Sequence, residues 1–177
     1  MGPRICIAIL LLGLLRAPAG ASDFVRVPFV DGLWHGDIAT HPDGLGFKEC
    51  WASTRFADGT TLTLAEQYDE NWSIRLSNPA WQWTPSSNNA MIVQVDFYPP
   101  LEIEAQASGN NLLEFRIGDD KTLLDFVENG HSIKLRYGTF NKVYDLEGSA
   151  KIIERIRNCV WEQLAGENRR STQRPIE

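Results

Sequence analysis

Apolar and polar residues alternate along most of this chain with a period of two, and that pattern predicts a series of short β-strands. Leu101-Glu102-Ile103-Glu104-Ala105-Gln106-Ala107 keeps the alternation without a break, so one face is buried and the other meets water. Met91, Val93, Val95 and Phe97 share one face of the strand before it. Leu113, Phe115 and Ile117 repeat the period, and so do Ile133, Leu135 and Tyr137. Trp72, Ile74 and Leu76 do the same upstream, where Gly46 to Phe56 and Thr60 to Gln67 supply two earlier strands. Turn chemistry between the runs favours antiparallel hairpins. Ala57-Asp58-Gly59-Thr60 and Ser108-Gly109-Asn110-Asn111 both carry residues that tolerate the positive φ angles of a tight turn. Asn129-Gly130 bounds Thr122 to Glu128, a segment readable as strand or helix.

The period then changes. Ser149, after Gly148, is placed to cap a helix through its hydroxyl. Ile152, Ile153, Ile156, Cys159, Val160 and Leu164 follow at helical spacing and form one apolar stripe, with an end expected near Gly166. The fold class expected is mainly β: an antiparallel sandwich or a partly open barrel with one C-terminal α-helix. Residues 167–177 are polar, contain Pro175, and read as a disordered tail.

The first 21 residues read as a secretory signal: a basic start at Arg4, an uncharged apolar stretch from Ile5 to Leu15, then Ala17-Pro18-Ala19-Gly20-Ala21. That stretch is shorter than the roughly 20 apolar residues that span a bilayer, and no later segment is long and apolar enough either. Cleavage before Ser22 removes Cys6, Arg4 and Arg16, leaving one domain over residues 22–166 and the tail. From the 17 Lys and Arg against 23 Asp and Glu of the whole chain, the charge falls to −8 in the mature protein. Such acidity repels phosphate backbones and argues against a nucleic-acid partner; a basic protein suits it better.

Only Cys50 and Cys159 remain after cleavage, and in an oxidising compartment two cysteines pair. The expected disulfide is a structural staple, since neither cysteine has the CxxC or electropositive setting of a reactive thiol.

Candidate chemistry is sparse. His35 and Asp37 share a strand face, and His41 follows within six residues of His35, so a metal site or metal-dependent hydrolase is one candidate reading. A polar strand leading into an Asp-Gly turn explains the same residues. Trp81 and Trp83 bracket Gln82, which in a strand puts both indoles on one face, fit for a sugar ring or a partner's surface. Core packing is the competing use of large aromatics. Ser86 and Asn88, in the loop that follows, would display any such platform. There is no GxSxG nucleophile motif, and Glu102 and Glu104 lie on a face that should be solvated. No cofactor is called for, and no catalytic residue is assigned.

A cysteine-containing strand (Glu49-Cys50-Trp51), an Asp-Gly hairpin, Trp72-x-Ile74-x-Leu76, and Tyr144-Asp145-Leu146-Glu147-Gly148-Ser149 leading into a helix with Cys159 occur in that order. This arrangement is similar to small exported β-rich proteins of alphaproteobacteria and, more loosely, resembles the invasion-associated locus B proteins. The resemblance implies a periplasmic location and an envelope or host-interaction role, without catalytic residues to carry over. The expected function is therefore a non-enzymatic periplasmic or secreted binding or accessory domain. It would engage an envelope or secreted protein, in its sharper form as an inhibitor or immunity-type protein. A glycan-binding module using Trp81 and Trp83 is the second expectation, and the hydrolase around His35, Asp37 and His41 the third.

Overall fold

A computed structural model describes residues 28–40, 46–118 and 120–172; the expected signal, His41 and the last five residues lie outside them. The described strands are β1 (Phe29–Asp31), β2 (Trp34–Thr40), β3 (Phe47–Arg55), β4 (Thr61–Gln67), β5 (Trp72–Ser77), β6 (Asn88–Val95), β7 (Leu101–Gly109), β8 (Leu112–Ile117), β9 (Ser132–Tyr137) and β10 (Phe140–Asp145). They form one antiparallel sheet in the order β1-β2-β3-β4-β5-β8-β7-β6-β9-β10. Two helices, α1 (Thr122–Asn129) and α2 (Ser149–Thr172), complete the fold.

The two-residue period settles which face is buried. Leu62 and Leu64 of β4 lie beside Leu76 and Ile74 of β5, which lie beside Leu113 and Phe115 of β8. Phe115 and Leu113 then face Ala105 and Ala107 of β7, so small residues make room for large ones in the next strand. Val93 and Val95 of β6 pair with Leu135 and Ile133 of β9. All of these side chains are buried in one contiguous core.

A lone sheet of this width has to curl to bury that face on itself, and side chains hold the curl. The Tyr144 hydroxyl of β10 is 3.1 Å from Thr60 Oγ1 in the β3–β4 turn, and its ring stacks on Phe56 at 4.7 Å. Lys142 Nζ reaches Asp58 Oδ2 at 3.1 Å. Asn78, itself buried, donates to Thr60 Oγ1 and to the Asp58 carbonyl. Trp34 of β2 donates its indole N–H to the Glu147 carbonyl at 2.8 Å, packed against Gly148, whose φ of +83° turns the chain into α2. No backbone ladder joins β1 to β10, so the sheet is curled but not closed into a barrel.

α2 packs on β3 and β4 through Ile152, Ile153, Ile156 and Val160, all buried. Cys159 on the same stripe is bonded to Cys50 of β3, with the Cα atoms 6.2 Å apart. The segment from Thr122 resolves as helix α1 because Leu123, Leu124 and Val127 bury together at helical spacing. Arg157 of α2 grips Glu128 of α1 through both guanidinium NH groups.

Several expectations need correction. Ser149 does not cap α2; its hydroxyl donates to the Val127 carbonyl at 2.7 Å and ties the two helices together. α2 runs past Gly166 to Thr172, since a single glycine costs a helix only about 1 kcal/mol and the residues after it are tolerant of helix. Phe97 does not share the face of Met91, Val93 and Val95: β6 stops at Val95, Asp96 takes a φ of +43°, and Phe97 is fully exposed.

The disulfide spans a sequence separation of 109 residues. Replacing both cysteines, Cys50→Ala with Cys159→Ala, is expected to lower unfolding free energy by roughly 4–5 kcal/mol, read from urea midpoints against the oxidised parent. A loss near zero would mean that the packing of α2 on the sheet suffices without the staple.

Candidate functional site

The segment between β5 and β6 is irregular, not the strand that would align Trp81 and Trp83. Asn78 starts it: its side-chain oxygen accepts from Ala80 N, and its carbonyl accepts from Trp81 N. The chain then follows the β7–β8 hairpin, with Trp83 N donating to Asn110 O at 2.7 Å and Ser86 N to Ala107 O at 2.8 Å. Both indoles nevertheless face the same way, because Phe140 of β10 receives both, at centroid distances of 5.3 Å from Trp81 and 5.9 Å from Trp83. Tyr137 of β9 closes the group at 5.7 Å from Trp83.

The result is an aromatic quartet at one end of the curled sheet. Trp81 and Trp83 are half-buried, and Tyr137 is 40% exposed. The two indole planes stand 82° apart with centroids separated by 6.0 Å, an edge-to-face pair rather than a flat shelf. The Trp83 indole nitrogen is shielded from solvent and has no hydrogen-bond acceptor among the described residues. Ser86 is exposed with a φ of +64°, and Asn88 is exposed where β6 begins. The sequence placed Tyr137 on a buried face and did not single out Phe140. Tyr137-Gly138-Thr139-Phe140 carries a visible signal in its glycine, whose φ of +54° sets the β9–β10 turn and brings the two rings to one side.

The histidine candidates do not converge. His35 and Asp37 share the outer face of β2, opposite Ser53 and Trp51 of β3. His35 is exposed, and Asp37 Oδ1 accepts from the Ile38 amide at 2.8 Å. His131 precedes β9, which is separated from β2 by six strands in the sheet order, and its amide is bound by Asp96. Among the described residues no group of three or more His, Cys, Asp or Glu side chains is placed to hold a metal ion. Nor is any described helix long and apolar enough to cross a membrane.

One charge cluster on the outer face is paired. Arg75 of β5 donates to both Glu49 oxygens and reaches Glu114 Oε1 at 3.3 Å; the hydrogen bonds it donates to Glu49 raise its pKa further above the ordinary arginine value. Glu66 is different. It lies on the inner face between Cys50 and Trp72 and is buried, with one carboxylate oxygen unpartnered. Burial raises its pKa; the hydrogen bond from Trp72 and the charges of Arg157 and Lys121 oppose this without cancelling it.

No protein-family profile matches the chain, and no curated protein does. Among solved structures, it is similar to invasion associated protein B from Bartonella henselae. The TM-score is 0.54 at 17% identity, over 75% of this chain and 97% of that one. The two share a fold. The resemblance read from the strand, hairpin and helix order therefore holds at the level of architecture.

The Glu66 geometry sets a pH dependence. A carboxyl whose pKa is raised by folding binds its proton more tightly folded than unfolded. Its contribution to stability is fully present below the ordinary glutamate value of 4.5 and is lost as pH rises through the raised folded value. The stability of the parent relative to Glu66→Gln should fall as pH is raised across that interval, measured by urea unfolding at a series of pH values. A difference that is constant with pH would show that Glu66 is not held this way.

Proposed function

We propose that this chain is a non-enzymatic binding or accessory domain of the periplasm or the secreted milieu, and that it holds a protein partner through its aromatic end. The observation that carries the reading is the Trp83 indole N–H: desolvated, unpaired and framed by rings that are themselves half-exposed. A desolvated donor without an acceptor costs about 1–3 kcal/mol, and a partner whose docking shifts the half-exposed rings around it would bring a backbone carbonyl within reach and remove that cost. Aromatic clusters of this kind, rigid and only partly covered, are where binding energy concentrates in protein interfaces.

The rest of the molecule supports the same reading. The signal-like start and the Cys50–Cys159 bond suit an exported domain, and the acidic balance suits a basic partner. The sharper form is an inhibitor or immunity-type protein, with the turn around Ser86 and Asn88 entering or rimming the partner's cleft. The perpendicular indoles favour a protein over a glycan, because a sugar ring stacks best on a flat aromatic face. The hydrolase reading around His35, Asp37 and His41 gains no support from the placement of the first two on the outer face of β2.

The test is a pull-down from envelope extract with the oxidised protein, its reduced form as control, followed by affinity measurement on whatever protein is recovered. Trp83→Ala should weaken that complex by about 30-fold, the loss of a hot spot worth about 2 kcal/mol. Trp83→Phe, which keeps a ring but removes the N–H, should fall between it and the parent. Circular dichroism on both variants verifies the fold. Recovery of glycan in place of protein, or a complex indifferent to Trp83, overturns the reading.

A further inference from the structure

The two edges of the sheet are not alike. β1 is three residues long and fastened to α2: Asp31 binds Lys151 at 2.6 Å and Arg155 at 3.3 Å, and the Arg155 guanidinium lies 5.9 Å from the Phe29 ring centroid. A short, charged and covered edge is how soluble sheets avoid pairing with one another. β10 is twice as long, and its charges are Lys142, turned inward and held by Asp58, and Asp145 at its end. Its six residues keep one unbroken register against β9, from Phe140 opposite Tyr137 to Asp145 opposite Ser132.

Two backbone hydrogen bonds set the phase of that ladder. Leu146 N donates to His131 O, and Asp96 N donates to Ser132 O. Antiparallel pairs alternate, so Phe140, Lys142 and Tyr144 spend their backbone groups on β9. The N–H and C=O of Asn141, Val143 and Asp145 therefore point away from the sheet, and no backbone partner meets them among the described residues. In the middle of this edge stands a valine that is 60% exposed, where a lysine or proline would ordinarily guard it.

We propose that the β10 edge pairs with the same edge of a second copy of this chain, antiparallel, about a two-fold axis at Val143. The strand is self-complementary in that register. Val143 meets the other Val143, each Asn141 meets an Asp145 to which its amide can donate, and each Lys142 meets a Tyr144. The outward N–H groups of Asn141, Val143 and Asp145 each find a carbonyl. Sliding the pair by two residues one way sets Lys142 against Lys142, and sliding it further the other way sets Asp145 against Asp145. Like charges directly opposite are unfavourable and exclude those two registers; a slide of two residues toward Tyr144 sets Val143 against Asp145 and forfeits the contact between valines, which leaves the centred register favoured. The pairing is isologous and closes as a dimer. It shares β10 with the aromatic end through Phe140, but it uses the strand's outward backbone groups rather than the rings.

Sedimentation equilibrium of the oxidised protein, expressed from the full chain, should show a monomer–dimer equilibrium. Val143→Pro removes an outward N–H and leaves the β9 ladder untouched, so it should weaken dimerisation at least tenfold with an unchanged circular dichroism spectrum. Val143→Lys, which sets two charges on the axis, should do the same and serves if the proline variant does not fold. Val143→Cys should give a disulfide-linked dimer on oxidation, whereas Asn141→Cys should not. A monomer at every concentration overturns the proposal. So does a dimer that survives both Val143 variants, or one cross-linked by Asn141→Cys and not by Val143→Cys.

Discussion

A β-sheet with one apolar face needs something to lay that face against, and this chain offers its ten described strands only two helices. α2 covers part of β3 and β4; the remaining apolar rows have to meet each other across a bend. That bend is the constraint from which the rest follows. It is held by Tyr144, which touches both Thr60 and Phe56 of the opposite turn, and by Asn78, which satisfies the hydroxyl and carbonyl that the turn would otherwise bury unpaired. Polar bonds of this kind add little net energy each, but leaving the same groups buried and unpaired would cost more. They decide where the curl stops. The hydrophobic rows supply the driving force, and the seam supplies the geometry.

Stopping short of closure leaves two features that a closed barrel would not have. One is a true edge at β10. The other is an open end, where the irregular chain from Asn78 to Ser87 crosses and parks its two tryptophans on Phe140. The disulfide works at the opposite side, clamping α2 to β3. The molecule is therefore stiff where α2 is riveted to the sheet and chemically open where the seam ends. Binding loops on a rigid scaffold follow the same division.

Most of the architecture was legible in the sequence because the strands obey the two-residue period and their burial follows it. Met91, Val93, Ala105, Ala107, Leu113 and Phe115 all bury as the alternation requires. β1 and β10 were not legible. β1 is too short to show a period, and β10 puts Lys142 on the inner face and Val143 on the outer one, inverting the hydrophobic pattern that marks a strand. Phe97 misled for the converse reason: the alternation continues through it while Asp96 has already left the strand. Of the candidate site, Trp81 and Trp83 were visible as a pair, but their neighbours Tyr137 and Phe140 come from a hairpin more than fifty residues away. Only the folded curl brings these together. The same applies to Glu66, whose burial depends on α2 and on its register with Cys50.

Three residues other than glycine take left-handed backbone conformations: Glu70, Ser86 and Asp96, among the described residues. Strain of that kind persists where surroundings over-determine it, or where a function uses it. Asp96 is over-determined, since its carboxylate accepts from the amides of His131 and Ser132 and from the Ser132 hydroxyl. Glu70 is fastened by its amide to Gln67 and by its carbonyl to Lys121. Ser86 is held by its amide to Ala107, while its hydroxyl makes no hydrogen bond among the described residues and is exposed. Of the three, it is the one whose strain is least answered from within the fold. It also borders the aromatic quartet and its unpaired indole N–H. Two independent signs of unfinished business, one in the backbone and one in a desolvated donor, thus fall at the same end of the molecule. A partner docked there would meet both.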